Sequence, residues 1–426
     1  MGENKKIFGF SKNMFLQCIL LYIGIWGGLL VNNYIFLVVA GGTLLISLLA
    51  KIDITYYHLF FLLPFTVIFK LSPSSTSLFA YLMIGTSIIL LLRKRSVHSI
   101  PVVMVLLFIG YTIIGMNGNY TTVAKMVAGM ILLYVFVTSV SPENFKNHIL
   151  SFGLGMLGSS VIGTMKDTWA RLTIYFEDID YVYVNGVRSI RFSGLNYDPN
   201  YYSIGVIIVI FLCLRLFFNK EGNRLLLGSL IASLVVFGFI SYSKMFLLSV
   251  LLLAVIFVLY RMKSPKHLIT TFISVLVIGV MFYWWANQSG YLGTMLERLL
   301  GDDISTGRFD IWAGYIEYIW SSPMTLLFGD GLGSSYYLSH GPHNAYIELI
   351  FFLGILGGTI MVSTIICILG INKLVTHRKF IDRALVILFF VMIATLGIVT
   401  VNDLMFYCML LWISMNMRKE TEVCTL

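Results

Sequence analysis

Charge is what this chain lacks. Only 12% of its 426 residues are Asp, Glu, Lys or Arg, against roughly 25% in an ordinary soluble domain. A surface so poor in charge is not built to face water all round, which excludes a soluble globular class. The short alternating strands of a membrane β-barrel are also missing. No HExxH and no Cys/His set occurs, and His340 and His343 stand three apart without further ligands, so no metal is predicted. The turn Gly329-Asp330-Gly331-Leu332-Gly333 has no strand before it and fails the context test for a nucleotide loop. A nucleophile-elbow motif is absent too. Cysteines number five (Cys18, Cys213, Cys367, Cys408, Cys424), all in apolar runs or the C-terminal tail, so no structural disulfide is expected. No cofactor is implied. The formal net charge of +9 is accounted for by basic turns on one membrane face, so no nucleic acid partner is implied.

What the chain has is apolar length. Hydrophobic residues make up 58% of it, in runs that repeatedly reach the about 20 residues needed to cross a bilayer core as helix. Candidate spans fall near 14–30, 33–50, 56–70, 76–92, 101–117, 121–140, 147–165, 200–218, 224–241, 243–260, 267–285, 343–370, 384–400 and 403–417, about 14 in all. The expected fold class is all-α: a polytopic integral membrane protein with residues 1–426 forming a single transmembrane domain and its partners including membrane lipids. The basic N-terminus shows no small-residue cleavage site, so the first run is read as a retained span. With both termini in the cytoplasm, that side receives Lys5, Lys6, Lys12, Arg93-Lys94-Arg95, Lys220, Arg224, Arg261, Lys263, Lys266, Lys373, Arg378, Lys379, Arg383, Arg418 and Lys419.

Two long stretches, 166–199 and 286–342, then fall on the outer face. Neither is low-complexity, and long ordered loops on a rigid scaffold are where function gathers. The second is expected to contain a helix: Ser305-Thr306-Gly307 can cap its start, and Phe309, Trp312, Ile316, Ile319 and Trp320 recur at helical spacing. Its tryptophans place it along the membrane surface.

The first stretch ends Arg191-Phe192-Ser193-Gly194-Leu195-Asn196-Tyr197-Asp198-Pro199-Asn200. Asp198 and Pro199 fit a helix start, which leaves Arg191 at the rim unexplained. Lys244, in Ser241-Tyr242-Ser243-Lys244, either snorkels to headgroups or holds an anion. The second stretch carries Arg298 and Gly307-Arg308-Phe309-Asp310-Ile311-Trp312, and closes with Gly341-Pro342-His343-Asn344. His343 stands where a span enters the membrane, a position open to either an anchoring or a catalytic role. Tyr175, Phe176, Tyr181, Tyr183, Tyr197, Tyr336 and Tyr337 suit either an interfacial aromatic belt or sugar binding.

Taken in order, these segments resemble the O-antigen ligase and polymerase superfamily, membrane enzymes that handle lipid-linked glycans. The resemblance covers roughly residues 190–360 and rests on Arg191 through Asn200, Ser241 through Lys244, Gly307-Arg308 with Trp312, Gly329 through Gly333, and His343-Asn344 followed by Gly354 and Gly357. Lys244 departs from the family's more usual Arg, keeping charge but losing the planar fork. The resemblance implies a GT-C-like fold and an inverting, metal-independent glycosyltransferase of the bacterial plasma membrane, with its active site on the outer face. Its donor and acceptor are lipid-linked oligosaccharides, with undecaprenyl diphosphate as leaving group. His343 would be the general base, since a neutral imidazole suits that task near pH 7. Arg308, Arg191 and Lys244 would steady the diphosphate, with Arg298, Asn344, Asp198 and Asn200 as further substrate contacts. A Wzy-type repeat-unit polymerase, working with a chain-length regulator protein, is favoured because relatives that ligate finished glycan typically show fewer spans. Alternatives are such a ligase and, from another class, a flippase or transporter. The latter calls for charged or Gly/Pro-broken helices at mid-membrane and for internal symmetry.

Overall fold

In a computed structural model of the chain, the described residues run from 6 to 369, without 8, 95–96, 115–119, 177–180, 185–186, 219, 262–268, most of 270–285, 301–306, 333 and 339–340. The expected spans at 384–400 and 403–417 lie outside them, as does much of 267–285.

The described part is mainly helical: α1 (Lys12–Leu30), α2 (Ile35–Leu49), α3 (Ile52–Leu62), α4 (Leu78–Leu92), α5 (Ser99–Ile114), α6 (Tyr120–Ser139), α7 (Phe145–Gly163), α8 (Ala170–Thr173), α9 (Pro199–Phe218), α10 (Arg224–Ile240), α11 (Lys244–Arg261), α12 (Tyr291–Leu300), α13 (Arg308–Ser321), α14 (Pro323–Phe328) and α15 (Ala345–Leu369). Among the described residues, four stretches are long and apolar enough to cross a membrane: Lys12–Leu30, Tyr120–Ser139, Pro199–Phe218 and Ala345–Ile368. Shorter apolar helices stand between them. Their outward faces carry Leu16, Ile19, Leu20 and Ile23 on α1, Val38, Leu45 and Leu49 on α2, and Val103, Leu106 and Leu107 on α5, all exposed. Apolar surface this continuous is suited to lipid.

Helix α3 is buried from Thr55 through Leu62, packed among α1, α2, α4 and α7. It ends sooner than its apolar run, because Pro64 opens a 3-10 turn, Leu63–Phe65. Helix α9 packs on α7, α10 and α11.

The all-α expectation needs one amendment. Strands β1 (Lys6–Ile7) and β2 (Phe10–Ser11) pair near the N-terminus, and β3 (Tyr181–Val184) pairs antiparallel with β4 (Val187–Ile190), Tyr181 opposite Ile190. The second hairpin has a sequence cause. Asn185-Gly186 separates two runs rich in Val, Ile and Tyr, a strong hairpin pattern.

Hydrogen bonds sort the connecting segments into two ends. At one end Arg171 Nη1 donates to Leu29 O (2.9 Å), Asn33 Nδ2 to the Tyr175 hydroxyl (3.1 Å) and Lys70 Nζ to the Tyr197 hydroxyl (3.0 Å). At the other, Ser11 N donates to Asn147 Oδ1 (2.9 Å), Lys94 Nζ to Thr138 Oγ1 (2.5 Å) and Arg93 to Ser47 O. The long stretch after α7 thus lies opposite the basic turn that follows α4.

Helix α15 is not continuous. Gly354 has φ 62° and ψ −178°, a conformation essentially restricted to glycine. The break leaves carbonyls without helical partners, and the turn after α14 meets them. Asp330 N donates to Phe351 O (2.8 Å) and Gly331 N to Phe352 O (3.0 Å). The Tyr111 hydroxyl lies 2.6 Å from Leu353 O and 2.9 Å from Phe328 O. A broken helix is tolerated at membrane depth when protein satisfies the freed backbone groups in this way. The glycines at 329, 331 and 354 therefore have a structural cause.

Candidate active site

The segments singled out by sequence meet at the α8 end of the bundle. Asp198 precedes α9 and caps it: its Oδ1 accepts from Asn200 N (2.5 Å) and Tyr201 N (3.4 Å), with Pro199 at the first helical position. The segment leading to it is pressed onto the end of α7. A Cβ on Gly163 would stand 2.5 Å from Gly194 C, and Gly194 itself has φ 54°. Just before, Phe192 stacks on Phe237 (centroids 5.2 Å) and meets Tyr202 edge-on (5.3 Å), which holds half-buried Arg191 at this end.

Asn200 reaches the next segment. Its Oδ1 accepts from Ser243 Oγ (2.8 Å), and one turn along α9 Ser203 Oγ lies 3.2 Å from Ser241 Oγ. The two serines of Ser241-Tyr242-Ser243-Lys244 thus clip the α10–α11 turn onto α9. Tyr242, between them, takes a left-handed φ of 48°. Lys244 opens α11, half-buried. Its neighbour Met245 receives Arg308 Nη1 at 3.9 Å from Sδ. Burial works to lower the Arg308 pKa below the ordinary guanidinium value, and the Asp198 carboxylate opposes that shift. A guanidinium keeps its proton through such a perturbation. Arg308, Asp198 and the Lys244 turn therefore form one charged neighbourhood.

Arg308 is also the first residue of α13. The helix start is Gly307, left-handed at φ 77° and with no side-chain cap bond, while Ser305 and Thr306 lie outside the described residues. The expected apolar stripe divides. Phe309, Ile316 and Trp320 are exposed on one face, as a lipid-surface helix requires, while Tyr315 and Ile319 are buried on the other. Trp312, one turn after Arg308, donates from Nε1 to Pro342 O (2.8 Å). This bond brings His343 to α13. His343 has φ 50°, a left-handed backbone uncommon for a side-chain-bearing residue. Asn344 then caps α15, its Oδ1 accepting from Tyr346 N (3.0 Å) and Ile347 N (3.3 Å). Of the eight residues expected at the site, Asp198, Asn200 and Asn344 have these structural duties in hand. Arg298 lies on α12, with its side chain outside the described residues, as is all of His340.

Sequence reasoning passed over several groups here. Glu348 is fully buried one turn into α15 and accepts from the Tyr336 hydroxyl (2.9 Å). An acid inside an apolar run is itself a functional sign. The Tyr318 hydroxyl donates to Asp330 Oδ2 (2.7 Å), which, with burial, pushes the Tyr318 pKa up to about 12. Lys166 is buried at the end of α7, bonded to Ser193 and 5.0 Å from the centre of the Phe176 ring. Tyr175 and Phe176 are buried packing residues, whereas Tyr197 and Tyr337 are exposed. Among the described residues, no group of three His, Cys, Asp or Glu side chains is placed to hold a metal ion.

No family model matches the chain, and neither does any curated protein or solved structure.

Proposed function

We propose that this chain is a membrane glycosyltransferase that acts on sugars linked to a polyprenyl diphosphate, polymerising repeat units of a surface polysaccharide. The observation that carries the reading is the convergence of Arg308, Asp198, the Lys244 turn and the His343 segment at one end of an apolar helical bundle. A lipid-diphosphate donor presents its charge at a membrane boundary, where this cluster stands on the orientation argued from the basic turns.

In this reading the acceptor hydroxyl oxygen attacks the anomeric carbon of the donor. The new C–O bond forms as the bond to the diphosphate oxygen breaks, and configuration inverts. His343 takes the hydroxyl proton. Arg308, with Arg191 and Lys244, stabilises the charge gathering on the departing diphosphate. Asp198 orients Arg308 and limits the excess positive charge. The donor supplies its own leaving group, so no nucleotide is needed, and the cationic side chains do the work a metal would otherwise do on the diphosphate. About 14 spans belong to this proposal, and that number is what favours polymerisation over ligation to a preformed acceptor. A transporter reading would make use of the break at Gly354. The Gly329–Gly331 turn fills that break with backbone hydrogen bonds, which disfavours its use as an ion or substrate site.

The test is turnover of purified lipid-diphosphate-linked repeat units by the purified protein, in chelator and without nucleotide sugar. Longer glycans should form. Activity that is lost in chelator and restored by one divalent ion contradicts the mechanism.

A further inference from the structure

Helix α13 carries more than the cationic end. Ten residues separate Arg308 from Tyr318, a rise of about 15 Å, and Trp312, tied to Pro342 beside His343, lies between them. At the far end Tyr318 stacks on Tyr337, with ring centroids 4.2 Å apart and planes 23° from parallel. Tyr337 is 52% exposed. Tyr315 backs it edge-on at 6.2 Å, and Asp330 accepts the Tyr318 hydroxyl at the rim.

A membrane-surface belt explains exposed tyrosines that turn their hydroxyls to water and headgroups. It does not explain a tyrosine whose hydroxyl is given to a carboxylate while its ring stacks on a second tyrosine. Here the rings are fixed before any ligand arrives, and a carboxylate stands at their edge. A flat ring face accepts the C–H face of a pyranose, and a carboxylate accepts its hydroxyl protons. The two together fit a sugar better than they fit a lipid tail.

We propose that Tyr337, Tyr318 and Asp330 form a saccharide subsite, holding a sugar of the glycan at a distance from the diphosphate set by the length of α13. The proposal rests on the glycosyltransferase reading for its ligand class. Donor and acceptor glycans carry the same chemistry, and kinetics separate them.

The test uses the full-length protein in nanodiscs. The probe is the free oligosaccharide released by mild acid from the host's own lipid-linked pool, which carries neither lipid nor diphosphate. Saturation-transfer NMR and a titration read its binding. The wild type should bind. Tyr337→Ala should weaken binding by about tenfold or more, Tyr337→Phe should retain it, and Asp330→Asn and Tyr318→Phe should fall between. Arg308→Ala should bind the probe as the wild type does. Equal binding by Tyr337→Ala, or none by the wild type, overturns the subsite. In turnover assays, a raised KM for the glycan whose diphosphate departs assigns the shelf to the donor, and a raised KM for the glycan that supplies the attacking hydroxyl assigns it to the acceptor. If glycan binding needs Tyr337 while the wild type shows no turnover of lipid-linked repeat units, the shelf stands and the transferase reading falls. The reverse pattern removes the shelf alone.

Discussion

Replacing Gly354 by alanine should detach the two halves of the site-bearing helix from the turn that supports them. Gly354 sits at φ 62° and ψ −178°, where a residue with a Cβ is strained by about 1–3 kcal/mol. Its new methyl group would also stand 2.5 Å from Gly329 N, with the Leu327 carbonyl closer still. Those are backbone atoms and do not swing aside as a side-chain tip would. Yielding at Gly329 endangers the bonds from Asp330 N to Phe351 O and from Gly331 N to Phe352 O, each worth about 1 kcal/mol net. The total loss should therefore exceed about 3 kcal/mol. Thermal unfolding in detergent, followed by the fluorescence of the native tryptophans, reads it. Gly41→Ala is the control, because a Cβ there meets nothing within 4 Å and α2 should gain rather than lose stability. A Gly354→Ala protein that melts with the wild type refutes the account of the break.

Arg308→Ala should lower turnover by about 10²-fold or more, the scale for losing one stabiliser of developing charge. Arg308→Lys should recover only part of it, since a point charge does not reproduce the guanidinium fork, whereas Lys244→Arg should be tolerated. Normal rates in Arg308→Ala would assign that residue to the surface helix alone. Orientation is tested by cysteine labelling with an impermeant reagent: Tyr197→Cys should label in intact cells, and Arg93→Cys only after permeabilisation. The opposite pattern inverts the topology.

Much of the helical layout was legible because apolar run length decides helix position in a bilayer. The runs at 14–30, 121–140, 200–218 and 224–241 coincide closely with α1, α6, α9 and α10. The Asp198-Pro199 helix start was legible because a cap is a local device. The β3–β4 hairpin was not legible beyond its Asn185-Gly186 turn, because strands of four residues carry too little alternation to stand out between apolar helical runs. The pairs that finish the site were not legible. Trp312 to Pro342 spans 30 positions and Ser243 to Asn200 spans 43, and such partners are chosen by packing, not by local spacing. Glu348 was visible in the sequence as an acid within an apolar run, but its tie to Tyr336 exists only in the fold.

The central claim is that His343 accepts a proton during glycan transfer. The direct measurement is the single-turnover rate on lipid-linked repeat units for the wild type, His343→Ala and His343→Gln, across pH, with each variant checked for insertion and folding. Both variants should lose about 10²-fold or more of the rate, and the wild-type rate should fall as acid protonates the imidazole. Because φ is 50° at this position, His343→Gly serves as a backbone control: it relieves the strain but should be as inactive as His343→Ala. A His343→Gln protein with the wild-type rate and pH profile would contradict the claim and leave His343 as an anchor for α15.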